Sequence, residues 1–218
     1  MLKNISNLKP SSLRKMKMFK LGVTGGIGSG KSTVTKILVE NYNAYEFEAD
    51  IVAKKIVAEN EQLKEEFKQT FGSRFFDELG NLKRREFAEF VFSDKERTRK
   101  LNSLVHPKVK EAATEHFQKA KDEGRSFFVH NAPLIFEAGI EKQLDAVLVV
   151  AVSEENALKR TIERDKTTEN EVKLRMSKQM PLAEKIAKAD FVIWNDGGFE
   201  KLKTAVENFY EKHLKDKL

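Results

Sequence analysis

Short apolar, β-rich runs alternate along this chain with longer stretches of helical periodicity, the order expected of parallel strands and their crossover helices. The first run, Phe19–Thr24 (FKLGVT), leads into a glycine-rich segment, and a helix opens at Ser32 with Val34, Ile37 and Leu38 on one face. Ala44–Glu48 reads as a second strand that ends in acid. Helical patterns follow at 50–59 and 61–70. Residues 94–102 and 107–120 read as two helices meeting near His106-Pro107, because the residue before proline is pushed out of the helical region. Further strands are predicted at 126–131, 146–152 and Phe191–Trp194. The run 146–152 (AVLVVAV) is apolar throughout, as in a parallel strand buried on both faces. Trp194 is assigned to the core. A last helix starts near Phe199, with Leu202, Val206 and Phe209 facing inward.

Two stretches break the rhythm. Residues 61–120 are helical and hold seven of the 16 phenylalanines between Phe67 and Phe92, which reads as the packing of a helical subdomain. Residues 154–188 are helical and charged. Insertions of this kind in an α/β domain tend to be substrate-side modules or lids. The chain is therefore expected to be one domain over 19–218, with its core in 19–60, 121–153 and 189–218, a helical insertion at 61–120 and a lid at 154–188.

Charge changes the picture less than it first suggests. The 218 residues carry 40 Lys+Arg against 34 Asp+Glu, a formal +6, which invites a nucleic-acid or membrane-surface reading. Residues 1–20 alone hold Lys3, Lys9, Arg14, Lys15, Lys17 and Lys20 and no acid, so the remainder has 34 groups of each sign. No nucleic-acid partner is expected. Residues 1–18 read as a basic extension, a disordered tail or a start placed too early; a chain beginning at Met18 should keep its activity. The absence of cysteine excludes disulfides and thiolate chemistry and fits a reducing compartment. No apolar run reaches the ~18 residues of a membrane span, so a cytoplasmic protein is expected.

Gly25-Gly26-Ile27-Gly28-Ser29-Gly30-Lys31-Ser32 matches G-x-x-x-x-G-K-[ST] in full, between a predicted strand and a predicted helix. Glycines there let backbone N–H groups turn toward phosphate oxygens at a helix N-terminus, where the dipole favours anions. Lys31 can reach the β and γ phosphates, and the Ser32 hydroxyl can ligate Mg²⁺. The motif predicts binding of a nucleoside triphosphate. No guanine-reading N-K-x-D follows, and Asp77-Glu78-Leu79-Gly80 reads as a turn rather than a GTPase switch. The run 146–152 does not end in the acid of a motor ATPase. A small-molecule kinase fits best.

Phosphoryl transfer to a hydroxyl needs a carboxylate near the acceptor. Glu48-Ala49-Asp50 follows the second strand, at the sheet edge where the phosphate loop also lies. Asp50 is equally placed to cap the following helix. The two roles are compatible.

At this point the chain resembles the dephospho-coenzyme A kinase family. The string Thr24–Val34 (TGGIGSGKSTV) followed by Glu48-Ala49-Asp50 carries the likeness, and further matches come in order. They are Arg84-Arg85, His106-Pro107, Pro133-Leu134 with Glu137, Arg160 with Arg164-Asp165, Gln179, and Ala189-Asp190 with Asn195. They run from about Phe19 to Phe209. The resemblance implies an α/β P-loop kinase fold: a five-stranded parallel sheet flanked by helices, a helical coenzyme-binding insertion and a helical lid. It implies ATP-dependent phosphorylation of the ribose 3′-hydroxyl of dephospho-coenzyme A by a monomer. Asp50 would be the acid near that hydroxyl. Residues Gly26, Ile27, Gly28, Ser29, Gly30, Lys31, Ser32 and Thr33 would hold the triphosphate with Mg²⁺. Arg164, with Arg160 behind it, would reach transferring phosphates from the lid. The family usually has Asp where Glu48 stands, and His130-Asn131-Ala132 is more polar than its usual strand end.

Other candidates have two readings each. One of Arg84 and Arg85 meets an acceptor phosphate, or they form a surface ion pair. His106 joins Pro133 and Leu134 in the acceptor pocket, or serves as a helix-junction histidine. Arg160 and Arg164, spaced i,i+4, grip phosphate or form a solvated face beside Glu163 and Asp165. Asn195 reads the nucleotide base or belongs to a turn with Asp196-Gly197-Gly198. Arg175 and Gln179 would support the lid or contact the adenine. The rival functions are another P-loop kinase, acting on a nucleoside monophosphate or a small alcohol, and a non-catalytic ATP-sensing switch.

Overall fold

The computed structural model describes residues 18–218; the expectation of a basic extension falls on residues outside this range, apart from Met18. Five strands form one parallel sheet in the order β2-β3-β1-β4-β5. They are β1 (Phe19–Thr24), β2 (Ala44–Glu48), β3 (Phe127–Asn131), β4 (Ala146–Ala151) and β5 (Phe191–Trp194). The chain leaves β1 toward β2 on one side, and the connection from β3 to β4 crosses over β1 to the other, so the direction of winding reverses at β1. The crevice at its carboxyl end is the position where open α/β sheets bind ligands.

The sheet is covered on both faces, as the apolar runs require. On one face Leu21, Val23, Phe127, Val129, Leu148 and Val150 meet Val34, Ile37 and Leu38 of α1 (Lys31–Tyr42) and Leu202, Val206 and Phe209 of α9 (Phe199–Phe209). On the other, Phe47, Phe128 and Val147 meet Ile135 and the helix α5 (Lys95–Asp122), with Met18 packed at the margin. Strand alternation separates the two sets.

The insertion has a core of its own. Helices α2 (Ala49–Glu59), α3 (Glu61–Phe71) and α4 (Arg84–Phe92) join α5 around Leu63, Phe67, Phe75, Phe76, Phe87 and Val91. The phenylalanines pack this cluster as expected, except Phe92, which is exposed. Asp77–Gly80 is a turn in which Asp77 accepts from the N–H groups of Leu79 and Asn81.

Two expectations are corrected. The segment containing His106-Pro107 is one continuous 28-residue helix, α5, with Pro107 inside it. Proline removes one N–H and crowds the preceding turn. Packing on both sides outweighs that cost, since Leu101, Leu104 and Val105 lie on the insertion core while Val109, Ala112, Ala113 and Phe117 lie on the sheet. Trp194 is 57% exposed rather than core. It ends the edge strand β5, where alternation turns Ile193 inward and Trp194 outward.

The remaining helices, α6 (Glu154–Asp165), α7 (Glu169–Met176) and α8 (Leu182–Lys188), follow β4; α6, α7 and the segment after α7 supply one wall of a cleft beside the phosphate loop. Sequence supplies clear starts for two of them. Ser153 caps α6 through the Asn156 N–H, and Thr168 with Glu171 forms a capping box on α7.

Candidate active site

The phosphate loop occupies the turn from β1 into α1. Gly28 (φ 72°) and Gly30 (φ 88°) hold left-handed backbone. A Cβ on Gly28 would lie 2.6 Å from the Ala157 carbonyl oxygen, and one on Gly30 would collide with the Asn195 amide. Gly30 is also the N-cap of α1 and offers no side chain to occupy the helix's first amides. This leaves the N-terminal end of α1 open to an anion.

Lys31 projects across the loop, and its ammonium donates to the carbonyls of Gly25 (2.9 Å) and Gly26 (3.3 Å). Burial pulls its pKa down to about 8, the Lys185 ammonium pulls the same way, and Asp50 opposes both. An ammonium so poorly solvated is poised to gain from a polyanion.

A cleft of about 430 Å³ opens beside the loop. Its walls are Ile27, Gly28, Lys31 and Ser32 from the loop, Glu48 and Asp50 after β2, Asn131, Pro133 and Leu134 after β3, and Arg164, Arg175, Lys178 and Gln179 from the lid side. Asp50 sits in the first turn of α2, whose N-cap is Glu48. The cap reading of Asp50 is therefore corrected: its carboxylate stands exposed at the cleft. Glu48 titrates above its ordinary range, because it is partly buried and lies close to Glu46 and Asp50.

Arg164 and Arg175 are held by one carboxylate. Asp165 accepts from Arg164 through both oxygens (2.7 and 3.1 Å) and from Arg175 at 2.7 Å. These bonds hold Asp165 well below the usual carboxylate range and raise Arg164.

Several expected residues lie outside the cleft. Arg85 is on the outer face of α4, two positions from the buried Phe87, and pairs with Glu89 at 3.1 Å; Arg84 is exposed at the start of the same helix. His106 lines a separate, mostly apolar cavity of about 190 Å³ between α5 and β3, shared with His130 and Phe117. Burial lowers its pKa. Arg160 turns away to donate to the Gly197 carbonyl at 3.3 Å. Asn195 is buried, and its amide donates to the Ser29 carbonyl at 2.8 Å, so it braces the loop from beneath. The turn after β5 is tied down by Asp196, which accepts from Ser153 and Asn156.

Sequence reasoning misses Lys178 and Lys185. Lys178 lies just past the end of α7, one position before the Gln179 that the lid pattern includes. Lys185 is 1% exposed, and its only sequence signal is its position three residues after Leu182, on the inner side of α8.

Comparison with known proteins places the chain in a family. A family profile described as dephospho-CoA kinase matches residues 19–201. A dephospho-CoA kinase from Fusobacterium nucleatum is 41% identical over 197 residues, covering 90% of this chain and 99% of that protein. Among solved structures, TT1252 from Thermus thermophilus aligns with a TM-score of 0.78 at 33% identity, covering 90% of this chain and 98% of that one. A dephospho-CoA kinase from Campylobacter jejuni aligns with a TM-score of 0.66 at 30% identity, covering 91% and 98%.

Proposed function

This chain belongs to the dephospho-CoA kinase family, and from that premise we propose that it transfers the γ-phosphoryl group of ATP to the ribose 3′-hydroxyl of dephospho-coenzyme A, giving coenzyme A and ADP. The observation that carries the reading is the convergence of Lys31, Ser32, Asp50 and Arg164 on one cleft. The phosphate loop holds the triphosphate on backbone amides and the Lys31 ammonium. Asp50 faces the acceptor, orients its hydroxyl and takes its proton as the O–P bond forms. Arg164 and Arg175, already fixed by Asp165, present guanidinium groups to the charge that builds on the transferring oxygens.

Magnesium fits the donors on this wall. The exposed Ser32 hydroxyl, with Asp50 and Glu48 alongside, is a hard oxygen set of the kind Mg²⁺ takes together with substrate phosphates. When bound, the ion supplies neutralisation of the β and γ oxygens. Closure of α6–α8 over the cleft would exclude water as a competing acceptor. The enzyme acts as a monomer in the cytoplasm; no helix among the described residues is long and apolar enough to cross a membrane.

The test is ADP release with a panel of acceptors. Release should depend on dephospho-coenzyme A and stay at background with nucleoside monophosphates or small alcohols. Equal turnover of a nucleoside monophosphate would replace this reading with that of a general P-loop kinase. ATP binding with no acceptor-dependent turnover would favour a sensing role.

A further inference from the structure

Four separate segments meet at one buried ammonium. Lys185 of α8 is 1% exposed, and its Nζ donates to the Pro133 carbonyl at 2.6 Å and to Glu137 Oε1 at 2.9 Å. The same Glu137 oxygen accepts from the Met180 N–H at 2.8 Å, in the link between α7 and α8. The Pro133 carbonyl also accepts from Thr24 Oγ1 at 3.1 Å, at the end of β1 just before the phosphate loop. Pro133 and Leu134 are themselves a wall of the Asp50 cleft.

We propose that Lys185 is a positioning residue for phosphoryl transfer: through Glu137 and the Pro133 carbonyl it fixes the acceptor-side wall to the phosphate loop and anchors the root of the lid. The inference rests on the kinase reading of the cleft. Lys185 is taken fully out of water while the Glu137 side chain keeps 22% of its surface accessible; an apolar side chain of similar size in place of a desolvated charge is often neutral or stabilising, so stability alone is a poor reason for an ammonium here. A methionine would fill the space. It would not hold the Pro133 carbonyl, nor link that carbonyl to Met180 through a shared carboxylate. With Thr24 on the same oxygen, the wall is set relative to the loop from two directions. Misplacement of a reacting group by about 1 Å can cost on the order of 10²-fold in rate, so a wall held this way bears directly on turnover.

The test compares Lys185→Met, Glu137→Gln and the double variant in the full chain. The single Lys185→Met change takes the ammonium from the partly exposed Glu137 carboxylate and from the Pro133 carbonyl, and is expected to lower thermal stability modestly. The double variant removes both charges while the amide oxygen introduced by Glu137→Gln still serves the Met180 N–H, so stability should recover. In the folded double variant the proposal expects the KM for dephospho-coenzyme A to rise and kcat to fall, each by roughly 10-fold or more. The Kd for ATP, measured by calorimetry without acceptor, should move by less than about threefold. A purely structural pair would change the fraction of folded enzyme and leave the acceptor KM alone. An unchanged acceptor KM in the folded double variant therefore overturns the proposal, whatever its kcat. Failure of the kinase reading looks different: the unmodified protein itself would release no ADP in response to the acceptor.

Discussion

The side-chain amide of Asn195 donates to the backbone carbonyl of Ser29 at 2.8 Å, joining positions 166 residues apart in a buried contact beneath the phosphate loop. The loop curls over this amide, and the amide in turn occupies the space beneath Gly30. Asn195→Ala strips a buried carbonyl of its partner, a loss of about 1–3 kcal/mol. Where about 1.4 kcal/mol of that falls on the loop's binding geometry, the Kd for ATP rises about tenfold. Thermal melts and ATP titration of the variant check both effects; an unaltered Kd would assign Asn195 to stability alone.

Asp50 does not cap its helix, so its carboxylate can be changed without removing a structural bond. Asp50→Asn should fold like the parent and bind ATP normally. Its kcat should fall by roughly 10²-fold or more, the scale of a lost general base. Steady-state kinetics alongside ATP titration measure the two quantities separately. Turnover at the parent rate would remove Asp50 from the mechanism.

Lys31 gives the site a pH dependence. Its folded-state pKa is lowered from 10.5 to about 8, so in the free enzyme its charge is present below that value and lost above it. ATP affinity should weaken as pH rises through about 8, with binding itself favouring the charged form and moving the loss upward. The stability effect has the opposite sign. Between about 8 and 10.5 the unfolded chain binds the extra proton, so folding becomes more favourable with rising pH. Titrating ATP binding from neutral pH to about 9.5 tests the first statement, and a flat Kd would contradict it.

His130 predicts an acid weakness unrelated to catalysis. It is 6% exposed, rests against Phe47, and its Nε2 has no hydrogen-bond partner among the described residues. Burial lowers its pKa from 6.5 to about 4. Between those values the unfolded chain takes up a proton that the folded one refuses, so stability drops as pH falls through that interval, by an amount of about 3 kcal/mol. His130→Leu should flatten the decline. Denaturant midpoints at several pH values, for parent and variant, supply the comparison.

Much of this fold could be read in advance, because contiguous apolar runs specify buried parallel strands and the glycine loop has a required spacing. The departures share a cause. Pro107 announces a helix break, yet α5 runs on through it, packed on two distant cores that a local reading does not contain. Trp194 is apolar and follows an apolar strand, but its exposure depends on β5 being an edge. The same limit applies within the site. Asp50, Lys31 and Arg164 belong to patterns with chemical meaning, and the fold brings them to one cleft. Lys185 lies in a lysine-rich stretch that looks solvated, and only the approach of Pro133 and Glu137 gives it a role. Arg85 and Arg160 lie off the cleft, the first paired with Glu89 and the second bonded to the Gly197 carbonyl.

The unbroken course of α5 also has a mechanical meaning. A helix of 28 residues is a rod about 42 Å long, with one half embedded in the phenylalanine cluster and the other laid on the sheet. Bending at Pro107 would pull side chains from both. The phenylalanine cluster and the sheet therefore share one continuous helix. The same helix makes the two cores lose structure together. In hydrogen exchange, the amides of α3 and of β3 should open with the same free energy.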